Sequence, residues 1–220
     1  MIPLSRPVIY ALCLLAGSLL AVVAGVAHPD LPSDGAAQLD TIARCESWRA
    51  IHFAFLFGFA LSLAGLVGLV GKHTGTPGEQ AVRAGLIVGV FAYAGWMVIV
   101  AFMVGAGWSL AQSYVTAQPG LAATHAVFVY DMLHPFALAA QRAAAFALGL
   151  STYLFGWGLV NGKALPRWLG RGALAAGIVG MALAVVFRED TKADQAAFVL
   201  PVLWQVVTGA LLLRARPASV

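Results

Sequence analysis

The stretch that decides the fold runs from residue 28 to residue 71 and reads HPDLPSDGAAQLDTIARCESWRAIHFAFLFGFALSLAGLVGLVG. It opens with His28-Pro29, where one apolar run ends, and it crosses a loop rich in acidic residues. It then enters a second apolar run from Trp48 to Val70, long enough to cross a hydrocarbon core of about 30 Å as a helix. The stretch therefore predicts two membrane helices with an acidic loop between them.

The composition of the whole chain agrees with this local pattern. Of its 220 residues, 61% are hydrophobic and only 10% are charged, whereas soluble domains carry about 25% charged residues. Six apolar runs are long enough to span a membrane, and short loops join them. The predicted fold class is all-α, a polytopic transmembrane bundle forming one domain over residues 1–220, with spans at roughly 8–27, 48–70, 81–108, 135–160, 172–187 and 195–213.

Two segments allow a second interpretation. Residues 1–27 resemble a signal peptide, because Arg6 gives a basic start and Gly25-Val26-Ala27 would suit cleavage, although the apolar run is longer than usual. The connection after the third span holds no Lys or Arg between residues 109 and 134, and residues 121–133 predict an amphipathic or re-entrant helix at the surface. Neither interpretation changes the orientation of the later spans.

The distribution of basic residues predicts that both termini are cytoplasmic. Eight of the 13 Lys and Arg residues then lie inside, and of the nine acids only Glu79 does. The loops are short, so the positive-inside rule applies. The inside basic residues are Arg6, Lys72, Arg83, Lys163, Arg167, Arg171, Arg214 and Arg216. We expect a multi-pass protein of the bacterial inner membrane.

This orientation gathers polar residues near the outer face, where all the histidines lie except His73. Arg142 lies deeper in the fourth span, and at i+8 from His134 it can share that residue's helix face. Ionisable residues within spans are costly and therefore mark functional sites. The predicted ligand-binding residues are His28, His52, Asp131, His134 and Arg142.

Three interpretations of this polar group remain open. A structural one uses the histidines and Arg142 to hold helices together, with Asp131, Glu189 or a carbonyl as the arginine's partner. A redox one places haem b or a transition metal between His52 and His134, with His28, His125 and Met132 in reserve. A binding one uses Arg142 to anchor a small anion, a quinol headgroup or a lipid.

Soluble-enzyme motifs are missing from the sequence. We find no Walker A motif, no Gly-x-Ser-x-Gly, no His-Glu-x-x-His and no Rossmann glycine pattern. The sequence therefore predicts no catalytic residue and favours a non-enzymatic protein. The predicted partners are membrane lipid and either another membrane protein or a second copy of this chain, and no nucleic acid is expected.

Short motifs give the chain a resemblance to a known group. They are His28-Pro29, then Trp48-x-x-x-His52, and later Leu165-Pro166-Arg167-Trp168-Leu169-Gly170 at the entry to the fifth span. In this layout the chain resembles uncharacterised bacterial integral membrane proteins with six spans. The resemblance implies a six-helix membrane fold and supplies no activity.

Overall fold

The computed structural model describes residues 6–117, 120–187 and 192–214, and these residues are helical with short connections. A π-helical turn, Met103–Gly107, joins two of the helices without a break. The helices are α1 Arg6–Ala27, α2 Gly35–Arg44, α3 Trp48–Lys72, α4 Glu79–Phe102, α5 Trp108–Thr116, α6 Leu121–Gly162, α7 Arg167–Val186 and α8 Lys192–Arg214.

Six helical segments in the described residues are long and apolar enough to cross a membrane, which confirms the predicted all-α fold with six spans. The chain is therefore a multi-pass membrane protein. The six segments are Pro7–Ala27, Trp48–Lys72, Glu79–Thr116, Leu121–Gly162, Arg167–Val186 and Gln195–Arg214.

The spanning helices form a closed ring. Helix contacts run from α1 to α3, α4, α6, α7 and α8 and back to α1, and α8 also contacts α6. Glycines allow the closest of these approaches, because a Cβ on Gly177 of α7 would lie 2.6 Å from the Gly149 carbonyl oxygen of α6. Small residues of this kind let backbones meet in lipid, where helix association depends on packing.

The predicted loop between the first two spans contains a helix that the sequence analysis missed. The side chain of Asp34 accepts a hydrogen bond from the Ala37 N–H at 2.9 Å and so begins α2. Leu39 and Ile42 are fully buried. A ten-residue helix is marginal in isolation, so packing against the rest of the protein stabilises α2.

The prediction of a separate surface helix at residues 121–133 was wrong. The segment continues through Pro135 into the fourth span, and the whole forms one helix of 42 residues, α6. Pro135 cannot donate a hydrogen bond to the carbonyl of Asp131. Both residues are exposed, so solvent can satisfy that carbonyl and the helix continues.

Two helical segments extend beyond the other helices at one end of the bundle. They are α6 and the continuous run from α4 through the π-helical turn to α5. At 1.5 Å per residue α6 is about 63 Å long, roughly twice the hydrocarbon thickness. Trp48, the first residue of α3, is level with Met103, because its Nε1 donates to the Met103 carbonyl at 3.1 Å. Phe187, just after α7, is level with Arg142, whose Nη2 donates to the Phe187 carbonyl at 3.1 Å.

We call α5 together with residues 121–141 of α6 the hairpin, since both lie beyond these levels. The end of the bundle that carries the hairpin is called the hairpin end, and the opposite end, with Lys72, Lys163 and Arg167, is called the basic end. Helix α2 packs on the hairpin through a small apolar core of Leu39, Ile42, Trp48, Met103, Ala111, Ala126 and Tyr130.

A candidate ligand site at the hairpin end

Three aromatic side chains meet where α3 begins. Trp48 and His52 lie one turn apart on α3, so they share a face, and His28 reaches them because it directly follows α1, which packs along α3. The ring centroids of His28 and His52 are 5.2 Å apart. The Trp48 ring lies 5.1 Å from His28 and 4.3 Å from His52. We call these three residues the histidine cluster.

Hydrogen bonds fix the same tautomer in both imidazoles of the histidine cluster. The Nδ1 atom of His28 lies 2.8 Å from the Pro29 carbonyl oxygen, and that of His52 lies 2.7 Å from the Trp48 carbonyl oxygen. A carbonyl oxygen can only accept, so each Nδ1 carries the hydrogen and each neutral ring keeps its lone pair on Nε2. Within the described residues, neither Nε2 atom forms a hydrogen bond.

The surroundings of His28 favour the neutral ring. Burial lowers the pKa of His28 below its ordinary value, and this effect exceeds the opposing ones of the Pro29 hydrogen bond and the Asp30 charge. A neutral imidazole can accept a hydrogen bond or bind a metal ion, which an imidazolium cannot do.

Trp48 holds the histidine cluster in place. Its side chain is fully buried, and its Nε1 bond ends on a carbonyl of the π-helical turn at Met103. A π-helical turn shifts the backbone hydrogen-bond pattern, and such turns are frequent at functional sites. The turn therefore couples the start of α3 to the base of the hairpin.

A second group of contacts joins α2 to the hairpin. The Tyr130 hydroxyl donates to Gln38 Oε1 at 2.7 Å, and Gln38 Nε2 donates to the Pro32 carbonyl at 2.6 Å. His134 stacks on Tyr130 with the ring centroids 4.9 Å apart. His134 thus contacts Tyr130 one turn away on its own helix, rather than the rings of the histidine cluster.

The two charged residues among the predicted ligands, Asp131 and Arg142, lie within α6 and contact the ends of two other helices. The Asp131 carboxylate abuts Gly35, where any side chain would collide with it, so a negative charge lies at the N-terminus of α2. Arg142 donates to the carbonyl of Phe187 after the last turn of α7. Both positions complement the helix macrodipole. Glu189, a predicted partner of Arg142, lies outside the described residues.

The five predicted ligand residues therefore fall into separate places. His28 and His52 meet in the histidine cluster, whereas Asp131, His134 and Arg142 lie on α6, which packs on α4, α5, α7 and α8. His52 lies on α3, which packs on α1 and α4. The placement of haem b or a metal between His52 and His134 stays a prediction. In the described part of the chain, no group of three or more His, Cys, Asp or Glu side chains is arranged to hold a metal ion.

The remaining two histidines lie elsewhere. His125 is exposed on the hairpin. His73 is fully buried at the basic end, with its Nδ1 atom 2.9 Å from the Leu69 carbonyl oxygen. His125 therefore offers a matched control for experiments on the histidine cluster.

A buried polar network, which was not predicted from the sequence, lies in the middle of the bundle. The Tyr93 hydroxyl donates to Gln205 Oε1 at 2.7 Å, and the Ser18 hydroxyl donates to the same oxygen at 3.3 Å. Ser62 Oγ lies 3.3 Å from Ser18 Oγ. These four residues, which we call the central network, join α1, α3, α4 and α8. The signal that could have revealed them is a polar residue near the centre of each apolar run.

Comparison with known proteins adds no relative. No family model matches the chain, and neither a curated protein nor a solved structure matches it. The fold and the site together define a multi-pass helical membrane protein with two imidazoles placed side by side at one end of its spans.

Proposed function

We propose that the chain is a bacterial inner-membrane protein that binds a small ligand at its outer face through His28 and His52. The observation that carries this proposal is the pair of neutral rings, 5.2 Å apart, whose Nδ1 atoms are engaged and whose Nε2 atoms remain open. The distribution of Lys and Arg supports an outward hairpin end, because the basic end then faces the cytoplasm.

A transition-metal ion is the ligand that this pair fits best. Metal-binding histidines almost always donate their second ring N–H to a carbonyl or carboxylate, as both rings do here. With metal–nitrogen distances of about 2 Å, two imidazoles on one tetrahedral ion would have ring centres about 5 Å apart. Imidazole nitrogen suits copper, zinc and nickel. Two protein ligands leave positions for solvent, which favours an exchangeable ion over a permanent structural one.

Metal titration of the full-length protein in lipid nanodiscs tests this proposal. Copper(II) and zinc(II) are titrated by calorimetry, and the bound ion is counted by elemental analysis. We expect about one ion per chain, and a loss of affinity of at least about 100-fold in His28→Ala and in His52→Ala, because each removes a ligand.

Two controls make the result specific. His125→Ala should bind as the wild type does, because His125 lies on the exposed hairpin, and Cys45→Ser excludes a thiol as the ligand. Equal binding in wild type, His28→Ala and His52→Ala would overturn the proposal, as would no binding at all. An absorption spectrum of the purified protein tests the rival haem prediction, since bound haem would give a Soret band that His52→Ala and His134→Ala both abolish.

A further inference from the structure

A groove between α7 and α8 is open on the outer surface of the ring of spans. Trp168 and Gly172, one turn apart on α7, line one side of it, and Leu203 and Val207, one turn apart on α8, line the other. The Trp168 side chain is 56% exposed. Both helices are among the six spans, so lipid rather than water surrounds this part of the protein. We call it the α7–α8 groove.

The floor of the groove is fixed and leaves room for a narrow ligand. Leu169 and Trp204 form this floor, and the Trp204 Nε1 donates to the Leu169 carbonyl at 3.1 Å. A Cβ on Gly172 would meet no atom within 4 Å. The groove has a volume of about 240 Å³, whereas one turn of an α-helix with its side chains occupies roughly 500 Å³. An acyl chain can therefore enter the groove, but a helix can only lie across it.

Two arginines of α7 flank the groove at its basic end. Arg167 begins α7, and Arg171 lies three residues after Trp168, so that these two side chains are neighbours on the helix surface. Both arginines are exposed. The first turn of α7 holds no acid, so their charge adds to the positive end of the helix dipole. An anion at this end of the groove would offset both.

Arg214 of α8 lies at the same end of the groove. Helix α8 returns along α7, and Gly180 of α7 lies beside Ala197 of α8, since a Cβ on Gly180 would be 3.2 Å from the Ala197 carbonyl oxygen. An equal number of residues from that contact leads to Arg167 on α7 and to within one turn of Arg214 on α8. Arg214 also lies seven residues after Val207, so the two share a helix face.

These three arginines have no acidic partner in the part of the chain that the structure describes. The sequence holds no Asp or Glu between Arg142 and Glu189, or after Asp194. Glu79, the acid at the basic end, lies 2.6 Å from Arg83 Nη2. Within the described residues, none of the three arginines forms an ion pair or a hydrogen bond. Their charge is therefore available to a ligand.

We propose that the α7–α8 groove binds an anionic phospholipid, with an acyl chain in the groove and the headgroup phosphate among Arg167, Arg171 and Arg214. Basic pockets between membrane helices bind anionic headgroups, particularly on the cytoplasmic side, and the planar guanidinium group matches phosphate. Basic residues near the ends of spans also set orientation, but that role requires no groove beside them. The groove lies at the end opposite the histidine cluster, so this proposal does not depend on metal binding.

Native mass spectrometry of the full-length protein tests this site. The protein is released from detergent micelles that contain equal amounts of phosphatidylglycerol and phosphatidylcholine with identical acyl chains. We expect one phosphatidylglycerol molecule to be retained in preference to phosphatidylcholine. Arg171→Gln should weaken its binding about fivefold, because one cationic contact is lost.

Two further variants separate the groove from the general charge of the basic end. Gly172→Leu keeps all three arginines and extends a side chain into open space in the groove, so it should weaken phosphatidylglycerol binding at least about fivefold. Lys72→Gln is the matched control, because Lys72 is exposed at the same end but lies on α3. It should bind phosphatidylglycerol as the wild type does.

Three results would overturn the proposal. Equal retention of the two lipids would show that the headgroup charge is not recognised. Equal weakening in Lys72→Gln and Arg171→Gln would assign the preference to the general charge of the basic end. Unchanged binding in Gly172→Leu would place the lipid outside the groove.

Photo-cross-linking in native membranes tests which molecule occupies the groove. A benzophenone is attached to Leu203→Cys in a Cys13→Ser, Cys45→Ser background, so that no other thiol reacts. The proposal predicts adducts with the mass of a phospholipid. Adducts with a protein instead, whether a second copy of the chain or another protein, would overturn it.

Discussion

The central network and the histidine cluster differ in whether their polar atoms all form hydrogen bonds within the protein. In the middle of the bundle, Ser18, Tyr93 and Gln205 are almost fully buried and bond to one another. At the hairpin end, His28 and His52 each use one nitrogen for a backbone carbonyl and keep the other open. The first arrangement holds helices together, whereas the second leaves one nitrogen of each ring for the ligand that we propose.

The position of each group along the spans explains this difference. No water is available in the hydrocarbon core, so an unsatisfied polar group there costs several kcal/mol. The central network must therefore be closed within the protein. The histidine cluster lies where the spans end and His28 is partly exposed there, whereas His52 is only 3% exposed, so the open nitrogen of His52 is left for a ligand, rather than bulk water, to satisfy.

The largest loss of stability is expected when a methyl group is added where the backbones of α6 and α7 are in tight contact. Gly177→Ala places a Cβ 2.6 Å from backbone atoms of both Gly149 and Tyr153, which should lower the free energy of unfolding by about 2–3 kcal/mol. Gly172→Ala on the same helix meets no atom within 4 Å and should be neutral or slightly stabilising. Unfolding by sodium dodecyl sulfate in mixed micelles measures both. Equal stabilities would contradict the tight contact.

The next effect tests whether the central network is structural. Gln205→Leu leaves the hydroxyls of Ser18 and Tyr93 without their acceptor and should cost about 1–2 kcal/mol of unfolding free energy. A double-mutant cycle with Tyr93→Phe should give a coupling of about 0.6 kcal/mol. Metal affinity should stay unchanged in both variants. A change in metal affinity would mean that the two regions are not independent.

A smaller and more local effect is expected at the hairpin end. Tyr130→Phe removes the hydrogen bond to Gln38 that joins α6 to α2, worth about 1 kcal/mol. Amide hydrogen exchange over residues 35–44 should accelerate about fivefold, while the spans keep their protection. Tyr114→Phe is the control, because the Tyr114 hydroxyl has no hydrogen bond within the described residues. Faster exchange throughout the bundle would show that α2 is not a separate unit.

The smallest effect belongs to the exposed ion pair of α2. Arg44 Nε lies 2.7 Å from the carboxylate of Asp40, which raises the pKa of Arg44. Both side chains are open to solvent, so Asp40→Asn should lower the free energy of unfolding only slightly, and less than any other destabilising change described here. Chemical denaturation with and without 1 M salt measures this loss. A cost several times larger would mean that surface charge, rather than apolar packing, holds α2 in place.

Hydrophobic patterning predicted the membrane architecture because a long apolar run is costly to expose to water and is long enough to cross a bilayer as a helix. The same patterning missed α2, whose two buried residues, Leu39 and Ile42, give too weak a periodic signal. It also divided α6 at Pro135, because proline usually ends a helix. The exposed position of Pro135, which permits the helix to continue, follows from the fold and is not visible in the sequence.

The candidate site was predicted in part. Residue type and depth selected His28 and His52, but favoured His134 as the partner of His52. The partner depends on which helices touch, and α3 lies beside α1, which brings His28 to the same place. The central network was missed because Ser18, Ser62 and Gln205 carry no charge, and single polar residues in apolar runs are common.

Pulsed electron paramagnetic resonance of the protein with one copper(II) ion bound tests the central claim most directly, because it counts the imidazoles on the metal. We predict two imidazoles in the wild type and in His134→Ala, and one in His28→Ala and in His52→Ala. A count that falls in His134→Ala and stays at two in His28→Ala would contradict the account, since the ligand would then lie between His52 and His134.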